Sequence, residues 1–79
     1  MKIEIGQIYW YYGDLTFIKR ITRNSQNETE ILFSICPIVF LIGDTIEELS
    51  ESFFLYTGFK LEENQIEELE LKSRSYDTR

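Results

Sequence analysis

Apolar and polar residues alternate with the two-residue period of β-strands through the first forty-odd positions of the chain. Ile3 and Ile5 alternate with charged neighbours, QIYWYY is rich in aromatic residues, and LTFIKRITR carries apolar residues on both parities. Aromatic and β-branched residues favour strands, and mixed parity indicates a bulge or a strand covered on both sides. We therefore predict β structure over this part of the chain.

Turn-forming residues divide this region into separate strands. The dipeptide GD after YWYY is a turn signal, and the polar stretch RNSQNE predicts a loop between hairpin arms at residues 15–23 and 29–36. Pro37 cannot donate a ladder hydrogen bond, so we expect an edge, a bulge or a bend there. A further strand is predicted over residues 38–42.

The period changes from strand to helix at Thr45. Thr45 and Glu48 fit a capping box, and Gly58 lies where a helix end often places a left-handed residue. Ile46, Leu49, Phe53, Phe54 and Tyr56 share one broad side of a helical projection, which predicts a short amphipathic helix over about residues 45–57 with this side toward the core. Leu55 would then project among the glutamates of the opposite side.

The C-terminal part carries two competing patterns. GFKLEE predicts a short closing strand, after which Asn64 and Glu67 repeat the capping-box spacing while ELELKS alternates as a strand does. We predict a C-terminal helix over about residues 65–71, with a strand as the alternative. A single globular domain is expected over residues 1–72, followed by a loose tail at 73–79.

Composition supports a folded, non-membrane protein. The chain has 79 residues, of which 43% are hydrophobic and 15% aromatic, too many for intrinsic disorder. The longest apolar run, IVFLI, is far shorter than the roughly 20 residues that cross a bilayer, and the N-terminus lacks a signal-peptide pattern. Cys36 is the one cysteine, which excludes an internal disulfide and fits a reducing compartment. We therefore expect a cytoplasmic protein.

The residue types exclude most catalytic chemistry. The sequence has no histidine and one cysteine, which excludes His-based catalysis, structural zinc and iron–sulfur clusters. Glu47 and Glu48 would diverge by about 100° on a helix, and with Asp44 they lack the spacing of an EF-hand loop. No Gly-rich phosphate loop is present. We expect a protein that is not an enzyme and holds neither a metal nor a cofactor.

The net charge of −6 is concentrated in one part of the chain, residues 44–70, which we call the acidic segment. It holds nine acidic residues against Lys60, a net charge of −8, whereas residues 1–43 sum to zero. Such a segment can steer association with a basic protein surface or imitate DNA phosphates, although Glu-rich helix faces also serve solubility alone. The candidate partner-binding residues are Asp44, Glu47, Glu48, Glu51, Leu55, Glu62, Glu63, Glu67, Glu68 and Glu70.

A second candidate surface combines the aromatic and basic residues of the N-terminal half. Rings of YWYY can stack on bases while the cations of KRITR contact phosphates, through Trp10, Tyr12, Lys19, Arg20 and Arg23. The alternative, which we favour, is that alternate rings fill the core while the basic residues are solvated. The sequence pI of about 4.5 also opposes a nucleic-acid-binding role.

The stretches IEIGQIYW, LTFIKRI and LSESFFLYTGFKL, together with the apolar third strand, resemble small SH3-like barrel domains encoded by phages and other mobile elements. The resemblance covers most of residues 3–61 and implies a fold without carrying over any functional residue. The acidic continuation after Leu61 departs from a compact barrel. The expected fold is α+β and mainly β: a small SH3-like barrel, or a strongly bent antiparallel sheet of four to five strands, with the two helices above.

The leading functional hypothesis is a small acidic protein-binding protein. It would use its acidic C-terminal half to block a basic surface of a host protein, such as a nucleic-acid-handling enzyme, as a phage-type inhibitor or a DNA mimic. The alternatives are a nucleic-acid-binding small barrel and a homo-oligomeric structural component.

Overall fold

A computed structural model describes residues 1–35 and 38–69. Within these ranges it has five strands and two short helices, in the order β1 (Gln7–Tyr11), β2 (Asp14–Arg23), β3 (Thr29–Phe33), β4 (Val39–Leu41), α1 (Ile46–Glu51), β5 (Phe54–Lys60) and α2 (residues 63–69). All pairings are antiparallel and the strand order is β4-β3-β2-β1-β5. The prediction of a mainly β fold built on an antiparallel sheet is confirmed.

The predicted bend at Pro37 and the predicted loose tail at 73–79 fall on residues outside these ranges. Of the described helices, none has both the length and the apolar character needed to cross a membrane.

Strand β2 pairs with two different strands along its length. Its residues 14–17 pair with β1, residues 18–23 pair with β3, and the register shifts around Lys19 between the two halves. A bulge of this kind bends a strand and increases its twist. The five-residue connection between β2 and β3 confirms the predicted hairpin.

The sheet is so strongly curled that β3 and β5 contact each other. In a flat sheet these two strands would be three spacings, or about 14 Å, apart. Instead the rings of Phe33 and Phe54 stack with their centroids 4.4 Å apart, and the ring of Tyr9 meets Phe33 edge-on at 5.8 Å. The sheet remains open because no pairing of described residues joins β4 to β5.

The core fills the inside of this curl. Its buried apolar residues are Ile3, Tyr9, Ile18, Ile31, Phe33, Leu41, Leu49 and Phe54. Gln7 is buried with them, and its side-chain oxygen accepts hydrogen bonds from the Tyr9 hydroxyl at 2.8 Å and the Glu4 backbone N–H at 2.9 Å. Burial, reinforced by the neighbouring Tyr56, raises the pKa of Tyr9, so its hydroxyl stays protonated and keeps donating to Gln7.

The start of α1 follows the predicted capping chemistry. Thr45 is the N-cap, and its hydroxyl oxygen accepts a hydrogen bond from the Glu48 N–H at 3.4 Å. The Glu48 carboxylate in turn accepts from the Thr45 hydroxyl at 3.3 Å and from the Gly43 N–H at 3.0 Å. The carboxylate therefore stabilises the turn that precedes the helix.

The predicted helix over residues 45–57 is wrong in its C-terminal half. Helix α1 ends at Glu51, Phe53 adopts a left-handed backbone with φ 68°, and β5 begins at the next residue. Residues 54–60 contain aromatic and β-branched side chains, and they gain ladder pairing and core burial against β1. That non-local pairing outweighs the helical period.

Helix α2 confirms the predicted C-terminal helix as far as residue 69, and residues 70–71 lie outside the described ranges. Its capping pair differs from the prediction, because Asn64 lies inside the helix. The Glu62 N–H donates to the Gln65 side-chain oxygen at 2.8 Å, and the Glu62 carbonyl accepts from the Gln65 and Ile66 N–H groups. Ile66 is the buried residue of this helix.

Thr29 and Thr16 provide a matched test of buried hydroxyl groups, since both are 2% exposed. The Thr16 hydroxyl hydrogen-bonds with Ser34 at 3.0 Å and accepts from the Ile35 N–H, whereas the Thr29 hydroxyl has no hydrogen-bond partner among the described residues. Valine preserves the β-branched shape. We expect Thr29→Val to raise the free energy of unfolding by about 1 kcal/mol and Thr16→Val to lower it by about 1–3 kcal/mol, measured by urea denaturation. Equal losses in both variants would contradict this.

Candidate binding surface

Four large apolar side chains lie together on the convex side of the sheet, beside the end of α1. In β1, Trp10 pairs with Leu15 of β2 on one side and with Leu55 of β5 on the other. The four side chains line a shallow depression of about 280 Å³ and are between 45% and 70% exposed. We call this group the aromatic surface; it consists of Trp10, Tyr12, Phe53 and Leu55.

Two of these aromatic residues hold a backbone conformation that bulky side chains rarely adopt. Tyr12 has φ 49° and Phe53 has φ 68°, and of the described non-glycine residues only Asn27 shares a positive φ with them. The two rings lie 5.7 Å apart. A left-handed backbone costs a non-glycine residue about 1–2 kcal/mol, so both positions favour glycine or asparagine on stability grounds alone.

Tyr12 is strained because it occupies the two-residue turn between β1 and β2. Both turn residues, Tyr12 and Gly13, have positive φ, as a type I′ hairpin turn requires. Asparagine is the residue that this first position prefers. The Tyr12 ring is exposed and meets the ring of Tyr11 edge-on at 4.6 Å, while Tyr11 stacks on the core residue Phe54 at 4.3 Å. The exposed rings are thus supported by the core.

No cation lies in the chain segments that build the aromatic surface. Residues 7–18 and 44–59 contain no lysine or arginine, and they carry five acidic residues. Glu51 follows Ser50, which lines the depression, and Asp14 follows Gly13 on the other side of it. Glu51 and Asp14 therefore place negative charge beside the apolar depression.

Three of the predicted acidic site residues have partners within the chain. Asp44 pairs with the Lys2 ammonium at 3.3 Å, Glu47 pairs with the Met1 amino group at 3.3 Å, and Glu48 caps α1. The pKa of the Glu47 carboxyl is held below its usual range, mainly by a hydrogen bond from the Glu47 backbone N–H and secondly by the Met1 amino group. These three carboxylates are therefore less available to a partner than the sequence suggested.

The other predicted acidic residues are exposed and form no ion pair within the part of the chain that the structure describes. They are Glu51, Glu62, Glu63, Glu67 and Glu68. Glu70 lies outside the described residues. The free carboxylates are therefore divided between the end of α1 and the start and exposed face of α2.

The N-terminal segment lies between the starts of the two acidic helices. The Ile46 N–H donates to the Met1 carbonyl at 2.8 Å, and the Leu61 N–H donates to the Gly6 carbonyl at 2.8 Å. Five residue steps separate the two anchoring points, which limits their separation to about 18 Å. Both halves of the acidic segment therefore flank residues 1–6.

The structure separates the aromatic and basic parts of the alternative nucleic-acid surface. Trp10 pairs with Leu15, and Arg20 follows five residues later on β2, about 17 Å away along the strand. Arg23 lies three residues further on and donates to the Asn27 carbonyl at 3.0 Å. Tyr12 stays with Trp10, whereas Lys19 lies at the bulge.

Leu55 lies in a different place from the one predicted. It is on β5 beside Trp10, not on the acidic side of a helix, because the helix ends before it. The structure thus places Leu55 and Glu51, which were predicted for the acidic partner-binding surface, near Trp10 and Tyr12, which were predicted for the nucleic-acid surface. Phe53 was not predicted as a site residue, because the helical period placed it on the core side of the helix. For Tyr12, its position directly before the turn glycine Gly13 was a sequence signal of exposure.

A second depression of about 370 Å³ lies at the start of α2. It is lined by Ile5, Leu61 and Ile66 with charges of both signs from Lys60, Glu62 and Glu63. Within the described ranges, no group of three or more metal-ligating side chains is arranged to hold a metal ion. No family model, curated protein or solved structure matches this chain.

Proposed function

We propose that this chain is a small non-enzymatic protein-binding protein whose aromatic surface receives a basic, partly apolar surface of another protein. The observation that carries the proposal is the exposure of Tyr12 and Phe53 at left-handed backbone positions. Strain of this kind is concentrated at functional sites in proteins, because folding alone gives no reason to keep it. Both rings border the same depression as Trp10 and Leu55.

The chemistry of the surface fits a protein partner. Exposed tryptophan and tyrosine residues are the commonest energetic centres of protein interfaces, where their burial supplies most of the affinity. Glu51 and Asp14 at the rim would attract lysine and arginine side chains and speed encounter. A phosphate backbone at the same place would meet these carboxylates, with the nearest arginine of β2 about 17 Å away.

The acidic segment extends this surface in our proposal. A basic host protein, such as a nucleic-acid-handling enzyme, would contact the aromatic surface first and the carboxylates of α2 at greater range. By occupying the nucleic-acid site of that host protein, the chain would act as an inhibitor of the phage type. We further propose that the curled sheet is a small SH3-like barrel and that the protein acts in the cytoplasm. DNA mimicry receives less support, because Asp44, Glu47 and Glu48 already have partners within the chain.

The test uses substitutions that remove the rings without weakening the fold. Phe53→Gly and Tyr12→Asn relieve left-handed strain, so the free energy of unfolding should stay equal or rise. Each should reduce recovery of the partner from host lysate about tenfold or more, since each removes a central contact. Phe59→Ala, which removes a 71% exposed ring elsewhere on β5, is the matched control and should leave recovery unchanged. Full recovery with both ring variants would refute the proposal.

A charge test separates the protein-binding function from the nucleic-acid alternative. Glu51→Lys should weaken partner recovery and reduce its salt dependence, because Glu51 has no partner among the described residues. Trp10 is the one tryptophan and belongs to the aromatic surface, so its emission reports contacts there. Quenching of that emission by single-stranded oligonucleotides at low salt would favour the alternative instead.

A further inference from the structure

Strand β4 is apolar on both of its faces, although the described fold covers one. Val39 and Leu41 pack toward the core, while Phe40 points outward between Ile38 and Ile42. These three outward residues are 44–89% exposed. A strand that is apolar on both faces is typical of sheets covered on both sides. The sequence of β4 therefore indicates that a second surface packs against it.

Two opposite charges that have no partner among the described residues lie beside this ridge. Arg20 of β2 and Glu30 of β3 line one shallow depression together with Leu32 and Ile38, and Glu30 pairs across the ladder with Phe40. Neither charge forms an ion pair or a side-chain hydrogen bond with any described residue. Within the described part of the chain, this face is thus apolar and carries the unpaired charges of Arg20 and Glu30.

We infer that this face, which we call the β4 face, binds a second copy of the same chain in a two-fold symmetric dimer. In such an interface each contact occurs twice, so Arg20 of one copy would meet Glu30 of the other, and the reverse. The apolar ridge of β4 would be buried between them. The proposal is independent of the aromatic surface, which lies on the other half of the curled sheet and stays free.

A second copy suits the β4 face better than other occupants do because of charge. The chain carries a net charge of −6, so two copies repel each other over most of their surfaces. Residues 31–43 contain no acidic or basic residue, and the two charges beside them balance. Approach through the β4 face therefore minimises repulsion between the two copies. A two-fold rotation also sets Arg20 of each copy opposite Glu30 of the other, so the face is complementary to a second copy of itself.

Sedimentation equilibrium of the full chain tests this inference through a charge exchange. The wild-type chain should give twice the mass of one chain at high concentration, and Arg20→Glu or Glu30→Arg alone should raise the dimer dissociation constant at least tenfold. The double variant Arg20→Glu with Glu30→Arg should return it to within about threefold of the wild type, because the pair is restored in both symmetry-related positions. Urea denaturation at low concentration verifies that each variant is folded.

A second pair of variants tests the apolar part of the interface. Phe40→Ser should abolish the dimer, whereas Phe59→Ser, at a ring that is 71% exposed outside this face, should leave it intact. A wild-type chain that stays monomeric at all concentrations would overturn the inference, and would point to cover by residues 70–79 or by a different protein. Failure of the charge exchange to restore the dimer, or growth into larger assemblies, would also overturn it.

Discussion

Phe33→Ala is expected to lower the free energy of unfolding by about 3–5 kcal/mol, the range for removing a buried phenylalanine ring. The whole stability of a domain this small is about 4–12 kcal/mol, so this one substitution should remove at least about a quarter of it. The effect is large because the ring joins distant strands: it stacks on Phe54 at 4.4 Å and contacts Tyr9 at 5.8 Å. Without it, the two sides of the curled sheet lose a central contact.

Phe59→Ala is the matched control for this substitution. It makes the same chemical change at a ring that is 71% exposed, where a surface substitution costs about 0.5 kcal/mol or less. Far-UV circular dichroism during urea denaturation is the suitable measurement, because the single tryptophan is partly exposed and reports the surface more than the core. Similar losses for the two variants would show that the curl does not depend on the Phe33–Phe54 contact.

Gly6→Ala is expected to cost about 3 kcal/mol, the second largest effect. Gly6 has φ +96°, which already disfavours any side chain by about 1–2 kcal/mol. A Cβ atom there would also lie 2.6 Å from the Leu61 carbonyl oxygen and 3.2 Å from the Ile66 side chain. Relief of that overlap requires the backbone at Leu61 to move, which disturbs its hydrogen bond to Gly6 and the packing of Ile66.

Gly13→Ala and Gly58→Ala isolate the two parts of this cost. Both glycines have positive φ, +84° and +87°, and neither has any atom within 4 Å of the Cβ that alanine would add. They should lose only the conformational part, about 1–2 kcal/mol. Gly6→Ala should in addition speed proteolysis between β5 and α2, as the helix loses its contact. A cost at Gly6 no greater than at the two controls would mean that α2 is not packed against this position.

Local chemistry explains the parts of the fold that could be predicted from the sequence. The polar loop RNSQNE connects the two strands of the β2–β3 hairpin. The Thr45 and Glu48 side chains determine where α1 begins, because they form the hydrogen bonds that cap it. The end of α1 could not be predicted in this way. It depends on pairing between β5 and β1, more than forty residues apart, and the helical period of the sequence carries no information about that pairing.

The candidate site was predictable in its residues but not in its arrangement. Trp10, Tyr12, Leu55 and Glu51 were each identified, yet for two separate surfaces. Their proximity follows from the register that sets Trp10 opposite Leu55, and from the left-handed residue Phe53 that turns the chain from α1 into β5. Neither feature is visible in composition or in spacing. The partners of Asp44 and Glu47 likewise come from the distant N-terminus.

The pairing of β1 with β5 has a consequence for the order of folding. The β2–β3 hairpin needs only local contacts and can form within microseconds, but it cannot bury its inner face alone. Burial requires the Phe54 ring, and the first six residues form hydrogen bonds with Asp44, Ile46 and Leu61 in the C-terminal half as well as with Ile18 of β2. We therefore expect the N-terminal half to have no stable folded form by itself during synthesis. We expect the chain to fold as one cooperative unit, and only after β5 has left the ribosome.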